Sequence, residues 1–217
     1  MMMINFPVLD QPLCIENATY LVIENQKLFA HIIQQFYQYG DDSDIRLFNT
    51  DYKTINANKL LLVTDILGFD INSNSVIKMI YGDLEEQFNM NPELKTKIEL
   101  LANQITNLIG LELLNHELDL EFDEITILEL FKALGIKVET ENHSLFEKIM
   151  EIVQIFKYLS KKSLLIFVNV CGYFSSDELQ EINNYISLSN CDVLFLEHYK
   201  VPGVKQYIID EDFFIIN

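Results

Sequence analysis

The sequence is poor in the residues that mark several classes of protein. Its 217 residues include no Trp, seven Gly, four Pro and three Cys, and Arg46 is the only arginine. The low Gly and Pro content excludes collagen-like and low-complexity architectures, and the 49% of apolar residues excludes a disordered chain. A chain of this length can bury one sizeable core, or a core with a smaller helical appendage.

Long hydrophobic runs and paired cysteines are also missing. No apolar run approaches the ~18 residues of a membrane-spanning helix, and residues 1–5 carry neither a basic region nor a cleavage motif. Cys14, Cys171 and Cys191 form no CxxC motif, which favours a reducing compartment over a disulfide framework. We therefore predict a cytoplasmic protein that neither spans a membrane nor carries a recognisable secretion signal.

Charge is unevenly distributed along the chain. Thirty-three acidic and 15 basic residues give a formal net charge of −18, so the average surface repels nucleic acid and anionic lipid. Residues 98–131 contain eight acids and no Lys or Arg, whereas residues 132–162 contain six lysines and four acids. A chain with this segregation can present a basic face despite its acidic total.

The pattern of apolar residues predicts an α/β fold. Apolar and β-branched runs predict strands at residues 19–23, 45–48, 60–64, 163–170 and 193–197. Ser144 and Glu147 match a capping box at the start of a helix. Because helix-length segments separate the predicted strands, we expect a mainly parallel sheet that is interrupted by a helical insertion. We assign the α/β head to residues 1–67 and 145–217, and the helical insertion to residues 68–144. The run at 60–64 is continuously apolar, which predicts a strand covered on both faces.

The predicted insertion carries an apolar stripe. Asn91 and Pro92 suit the cap and the first turn of a helix. Apolar residues then recur at heptad-like spacing over about four turns, at Leu94, Ile98, Leu101, Ile105 and Leu108. Two interpretations stay open: the stripe could be buried in a helix hairpin, or it could be the face of an extended arm or an oligomer contact.

Residues 68–75 follow a predicted strand and precede a predicted helix, as a phosphate-binding loop does. Compared with the pattern G-x-x-x-x-G-K-[ST], the segment keeps Gly68 and Ser75, but Ser73 replaces the second Gly and Asn74 replaces the Lys. That lysine neutralises the phosphates of the nucleotide, and no predicted strand ends in a convincing Walker B acid. We therefore expect no ATP hydrolysis.

Acidic and apolar residues alternate from Glu117 to Glu124. In an extended segment, Glu117, Asp119, Glu121 and Asp123 would lie along one edge. Neighbours about 6.6 Å apart would repel by roughly 2.5 kcal/mol at an effective dielectric of 20, unless water or a cation screens them. Carboxylate oxygens select Ca²⁺ or Mg²⁺ over zinc. A solvated acidic loop remains an equally good interpretation.

The basic stretch supplies a second candidate site. Its lysines are Lys132, Lys137, Lys157, Lys161 and Lys162, and the spacing of Lys157 and Lys161 predicts that they share one face of a helix. The alternative is a solubilising surface. Lysine without arginine favours contact with phosphates over the reading of bases, which depends on bidentate Arg.

Several stretches together resemble one known family. They are residues 5–10 (NFPVLD), 36–39 (FYQY), 60–73 (LLLVTDILGFDINS), 117–130 (ELDLEFDEITILEL), 155–169 (IFKYLSKKSLLIFVN) and 207–215 (YIIDEDFFI). In their order, and over nearly the whole chain, they resemble the Csn-two family of type II-A CRISPR systems.

The resemblance implies a globular α/β head related to phosphate-loop ATPases but without their catalytic residues, with an inserted, extended α-helical leg. It also implies a non-catalytic homotetrameric ring, stabilised by Ca²⁺, that encircles double-stranded DNA and prefers its ends. The role would be the acquisition of new spacers, with the CRISPR integrase proteins and the RNA-guided effector nuclease as partners.

The resemblance also implies site residues. By motif match, the metal candidates are Asp119, Glu121, Asp123, Glu124 and Glu129, and the five lysines named above are the candidates for DNA contact. Residues 49–59, where the family is expected to be more basic, contain only Lys53 and Lys59. The main alternative is an enzyme, either a metal-dependent nuclease or a degenerate NTPase, that uses the acidic cluster. A third is a protein-interaction scaffold without DNA binding.

Overall fold

The chain folds into two compact units. The computed structural model describes residues 2–140, 144–159 and 161–216. One unit comprises residues 1–69 with 141–217, and the other comprises residues 70–140. Within the described residues, no helix combines the length and the apolar character needed to cross a bilayer.

The first unit is built on a six-stranded sheet. Its strands are β3 (Ala18–Ile23), β5 (Leu60–Val63), β6 (Leu164–Val168), β7 (Val193–Glu197), β8 (Tyr207–Ile209) and β9 (Ile215–Ile216). They lie in the order β5-β6-β7-β3-β8-β9. All neighbours pair in parallel except β8 and β9, which are antiparallel. The predicted α/β fold with a mainly parallel sheet is confirmed.

The inner strands β6 and β7 form the most buried part of the sheet, because all five residues of each strand are buried. Tyr20, Phe167 and Phe195 stack across three strands, with ring centroids 4.6 Å apart for Tyr20 and Phe195 and 5.5 Å apart for Phe167 and Phe195. Strand β5 differs from its prediction, since Leu61 and Leu62 are only half-buried. It lies at one edge of the sheet, and an edge strand is less completely covered.

A smaller antiparallel sheet completes the core of this unit. It contains β1 (Met2–Asn5), β2 (Leu13–Ile15) and β4 (Arg46–Asn49), in the order β2-β1-β4. Buried side chains from both sheets belong to one cluster, which includes Ile4, Ile15 and Leu47 beside Leu21 and Ile23. Sequence patterns predicted β4, which follows the acidic turn at residues 41–44, but they did not predict β1 or β2.

Among its described residues, the first unit has the α-helices α1 (Gln26–Tyr37), α5 (Leu145–Tyr158) and α6 (Ser176–Ser189). Each begins at a side chain that satisfies a free backbone N–H. Asn25 accepts a hydrogen bond from the backbone N–H of Leu28 at 3.0 Å. Ser144 and Ser175 form capping boxes with the glutamates three residues later. The capping box at Ser144 was predicted from the sequence and is confirmed.

The second unit is helical. It contains α2 (Asn74–Asn89), α3 (Pro92–Leu113) and α4 (Ile127–Ala133), and α2 packs against both α3 and α4. Its small core consists of Tyr81, Ile127 and Phe131, with partly buried apolar side chains packed against them. As predicted, α3 begins at Asn91 and Pro92, and the Asn91 side chain accepts a hydrogen bond from the Leu94 N–H at 3.3 Å.

The apolar stripe of α3 is largely exposed. The exposed fractions are 43% for Leu94, 59% for Leu101, 47% for Ile105 and 69% for Leu108. The buried face of the helix instead carries small residues, Ala102, Thr106 and Gly110. α2 and α3 do pack together, and Ile98 of the stripe packs against the core of the unit. The other four stripe residues face solvent, because the contacts of α3 are made through the small residues on its other face.

Candidate functional site

The acidic segment, residues 117–124, joins α3 to α4. All eight of its residues are exposed, and it forms no regular helix or strand. One aromatic contact ties it to α3: a Cβ atom added to Gly110 would lie only 2.5 Å from the ring atom Cζ of Phe122. The Phe122 ring therefore occupies the space that the missing side chain leaves. This contact places four predicted metal ligands beside the C-terminal half of α3.

Glu129, the fifth predicted metal ligand, has a different role in the chain. Its Oε2 atom accepts hydrogen bonds from the Thr126 backbone N–H at 2.7 Å and from the Thr126 hydroxyl at 2.8 Å. In return, the Glu129 N–H donates to the Thr126 hydroxyl oxygen at 3.2 Å. These hydrogen bonds hold the pKa of Glu129 below its usual value. Glu129 thus forms the capping box that begins α4.

The remaining predicted ligands have the right chemistry for calcium, since carboxylate oxygens are its preferred donors. They are Asp119, Glu121, Asp123 and Glu124. The part of the chain that the structure describes nevertheless holds no group of three or more His, Cys, Asp or Glu side chains positioned for a metal ion. Within one chain, the described residues therefore form no preformed metal site. A bound cation would require the segment to rearrange, or carboxylates from a second chain.

Two of the predicted DNA-binding lysines belong to the second unit. Lys132 lies in the last turn of α4, Lys137 follows shortly after, and both are exposed. The turn between them is held by the Tyr81 hydroxyl, which lies 3.3 Å from the carbonyl oxygen of Phe131 and 3.0 Å from that of Ile136. The buried Tyr81 thereby fixes the backbone that carries both lysines.

The other three predicted lysines belong to the first unit. Lys157 lies in the last turn of α5, which ends at Tyr158, and Leu159 has a non-helical backbone. The prediction that Lys157 and Lys161 share a helical face is therefore wrong. Both are exposed, whereas Lys162 is half-buried. The Lys162 ammonium donates a hydrogen bond to the Leu60 carbonyl at 2.6 Å, and burial lowers its pKa.

Lys59 is a further basic residue, which was not among the predicted DNA-binding lysines. Its carbonyl accepts a hydrogen bond from the Ser163 N–H at 2.8 Å, so its backbone lies next to the segment that carries Lys161 and Lys162. The reason is the parallel pairing of β5 and β6, in which Leu60 lies opposite Leu164. A lysine just before each of two neighbouring parallel strands was the signal that could have identified it.

The degenerate phosphate-loop segment crosses the boundary between the two units. Gly68 belongs to the first unit, whereas Ser73 and Asn74 belong to the second. The inner strand β3 is followed only by Glu24 and Asn25 before α1 begins, so no glycine-rich loop follows it. The relation of the sheet to phosphate-loop ATPases stays a prediction.

Comparisons with known proteins identify the family. Residues 38–213 match the family model described as CRISPR-associated protein (Cas_Csn2). The chain is 51% identical over 214 residues to the CRISPR-associated protein Csn2 of Enterococcus faecalis, covering 99% of this chain and 98% of that protein. This chain belongs to the Csn2 family. The Csn2 protein of Streptococcus agalactiae is 50% identical over 216 residues, covering 100% of this chain and 98% of that protein.

The Csn2 assignment confirms the resemblance to the Csn-two family that the sequence indicated. A solved structure, the crystal structure of Stu0660 of Streptococcus thermophilus, is similar with a TM-score of 0.55 over 96% of this chain and 74% of that chain. Its sequence identity is 13%, so this likeness concerns the fold alone.

The contact between Gly110 and Phe122 leads to a testable prediction about the acidic segment. Replacing a helix-interior Gly by Ala ordinarily stabilises a helix by about 0.5–1 kcal/mol. At Gly110 the new methyl group would collide with the Phe122 ring, so Gly110→Ala should not stabilise the helix and should displace Phe122. A Glu-specific protease should then cut the acidic segment several times faster than in the unchanged chain. Gly82→Ala in α2 is the matched control, because its new Cβ would meet no atom within 4 Å. Equal cleavage in both variants would contradict the anchoring role of Phe122.

Proposed function

We propose that this Csn2-family chain forms a non-catalytic homotetrameric ring that holds double-stranded DNA, with a preference for its ends, during acquisition of new CRISPR spacers. The observation that carries the proposal is the exposed apolar stripe of α3 in a member of this family. The CRISPR integrase proteins and the RNA-guided effector nuclease are the proposed partners, because they act in the same process.

A second copy of the chain is the proposed cover for the stripe. Large apolar side chains exposed along one helix are unfavourable in water, and such patches mark interaction surfaces. On α3 they are Leu94, Leu100, Leu101, Ile105, Leu108, Ile109 and Leu111. Homo-oligomers with closed symmetry bury the same patch on every subunit. A tetramer therefore removes the stripe from water without a different partner.

Calcium fits this assembly for an electrostatic reason. The contact of Phe122 with Gly110 keeps the acidic segment close to α3, so a contact through α3 brings acidic segments of different copies toward one another. Like charges at such a contact repel, and Ca²⁺, which takes six to eight oxygen ligands, offsets the repulsion. We propose that Asp119, Glu121, Asp123 and Glu124 supply carboxylates to calcium shared between copies, with Glu129 at the edge of this cluster.

DNA contact is assigned to the lysines. A ring of net charge −18 per chain can hold DNA only if basic side chains face the duplex while the acids lie elsewhere or are neutralised by cations. Lys132, Lys137, Lys157 and Lys161 are exposed, and the Lys157 ammonium lies 5.8 Å from the centroid of the Tyr158 ring. Lys162 contributes positive charge, although its ammonium also donates a hydrogen bond to the backbone carbonyl of Leu60. Lysines at phosphates give affinity without reading the sequence.

The alternative enzymatic function is a metal-dependent nuclease or a degenerate NTPase that uses the acidic cluster. A two-metal nuclease holds its ions about 3.5–4 Å apart with clustered carboxylates. Incubating linear and circular DNA with Mg²⁺, Mn²⁺ or Ca²⁺, and ATP with each ion, separates the two functions. Retention of DNA without products supports the ring, whereas cleaved DNA or hydrolysed ATP above a blank would overturn it.

The first prediction of this proposal concerns assembly. Leu108→Asn should weaken the contact through α3 at least tenfold, because it puts a polar amide into an apolar interface. The molar mass in solution with Ca²⁺ should then fall from four times the 25.3 kDa protomer toward the protomer mass. Leu188→Asn on α6 is the matched control, since Leu188 is also a highly exposed helical leucine. A mass unaffected by Leu108→Asn would argue against α3 as the interface.

The second prediction concerns calcium. Asp123→Asn combined with Glu124→Gln should lower calcium affinity and reduce the calcium-dependent rise in melting temperature, since each lost charge weakens a hard-cation site. Ligand stabilisation is about 2.7 kcal/mol at a concentration of 100 Kd, so a tenfold weaker site loses roughly half of it. Asp41→Asn with Asp42→Asn, an exposed acidic pair elsewhere, is the control. The same calcium-dependent melting shift in both variants would argue against calcium binding by the acidic segment.

The third prediction concerns DNA. Binding to duplex should be insensitive to sequence, and log K should fall with log salt at about −0.9 per phosphate neutralised. Lys157→Gln with Lys161→Gln should weaken all sequences equally and flatten this slope, because one double substitution is repeated in four subunits. Lys27→Gln with Lys205→Gln removes the same charge from other exposed positions. A slope that is unchanged, or that changes equally in both variants, would contradict the assignment.

Encirclement adds a topological test to the same experiment. Linear duplex can thread through a closed ring, whereas a relaxed circle of the same sequence cannot enter unless the ring opens. Binding measured for both forms across the salt series should therefore favour the linear form. Equal affinity for the two forms would contradict threading through a closed ring, although DNA contact by the lysines would still be possible.

A further inference from the structure

A cleft in the first unit has no part in the proposed ring. It has a volume of about 450 Å³ and lies where the loops after β6 and β7 meet the first turn of α6. Its walls are largely apolar, and they include Phe174, Leu179, Val201 and Pro202. Val201 is held from both sides by the Gln206 side chain, whose amide oxygen and nitrogen each make a 2.9 Å hydrogen bond to its backbone. A cleft of this size suits a small organic group.

Glu197, the last residue of β7, is the acidic group in this cleft. Only 5% of its surface is exposed. Its Oε1 atom accepts hydrogen bonds from the backbone N–H groups of Val170 at 2.9 Å and Cys171 at 3.1 Å. Asn169, at a φ of 52°, makes the turn that points these amides at the carboxylate. Glu197 therefore holds the two loops together, and burial raises its pKa.

The carboxylate of Glu197 has no cationic partner among the described residues. Lys200 lines the cleft, but its ammonium lies 3.1 Å from a carboxylate oxygen of Glu24. His198 turns its Nδ1 atom to a backbone carbonyl at 2.9 Å, and burial raises the pKa of the Cys171 thiol, which stays neutral. A buried carboxylate without a counter-charge is costly.

The cleft also disfavours an anionic ligand. The two backbone amides that could bind a phosphate or a carboxylate already point at Glu197. An incoming anion would have to displace this carboxylate and would be repelled by it at short range. A cation would instead be attracted, because its positive charge compensates for the water contacts that the Glu197 carboxylate loses on burial.

We propose that this cleft binds an alkylammonium or guanidinium group, with Glu197 as its charge partner and the apolar walls around its carbon stem. Two sources present this chemistry, a free polyamine and a Lys or Arg side chain of a partner protein. The inference is independent of the ring, since its residues lie in the first unit and include none of the lysines or acids assigned above.

The substitution Glu197→Gln separates the charge of this residue from its structural role. The amide oxygen of glutamine can still accept the hydrogen bonds from Val170 and Cys171, but the negative charge is gone. Glu181→Gln on α6 is the matched control, because it removes one charge at an exposed position. With a net charge of −18, the surface attracts any cation weakly, and this control measures that background.

The experiment is a ligand-observed NMR titration of the full chain at 0.15 M salt. The probes are n-butylammonium and the neutral n-butanol, which share a carbon stem. The unchanged chain and Glu181→Gln should bind n-butylammonium equally, and Glu197→Gln should bind it at least tenfold more weakly. Equal binding by all three chains, or no binding by the unchanged chain at millimolar probe, would overturn the proposal.

Two further arms keep the test decisive. If Glu197→Gln does not fold, the comparison of the two probes on the unchanged chain replaces it, and equal affinity for n-butanol would overturn the proposal. Spermidine and a lysine residue blocked at both ends separate the sources. Tighter binding of spermidine supports a free polyamine, whereas tighter binding of the blocked lysine supports a side chain of a partner.

Discussion

The parallel pairing of β6 with β5 and β7 is the interaction on which the rest of the first unit depends. It places Leu60 opposite Leu164 and Leu165 opposite Val193. Because parallel strands start at one edge and end at the other, the pairing gathers Lys59, Lys161 and Lys162 near the starts of the strands and Glu197 at their ends. One register therefore produces a basic edge and, at the opposite edge, a cleft with a buried carboxylate.

In the second unit the decisive constraint is steric. Small residues at Ala102, Thr106 and Gly110 face inward on α3, so its large apolar residues face solvent, and the missing Gly110 side chain admits the ring of Phe122. The same glycine thus determines where the acidic segment lies. Apolar exposure and acidic charge therefore occur side by side, and the assembly proposed above would cover the apolar side chains and screen the carboxylates.

Much of the fold was predictable because its signals are local. The buried strands β6 and β7, the Asn91–Pro92 start of α3 and the capping box at Ser144 all depend on neighbouring residues, and the structure has them where the sequence indicated. The short strands β1 and β2 were missed, because the segments MMIN and LCI each contain a single β-branched residue and give a weak strand signal. The helical face expected for Lys157 and Lys161 failed because α5 ends between them, at Tyr158.

By itself, the sequence determined the family, the segregation of charge and the residue types of the candidate sites, because these follow from composition and from the order of motifs. Tertiary structure alone decided which of these residues can act. It brought Lys59 next to Lys161 and Lys162, assigned Glu129 to a helix cap and enclosed Glu197 in a cleft. The physical reason is that burial and hydrogen bonding depend on contacts between residues far apart in the chain, which no local pattern encodes.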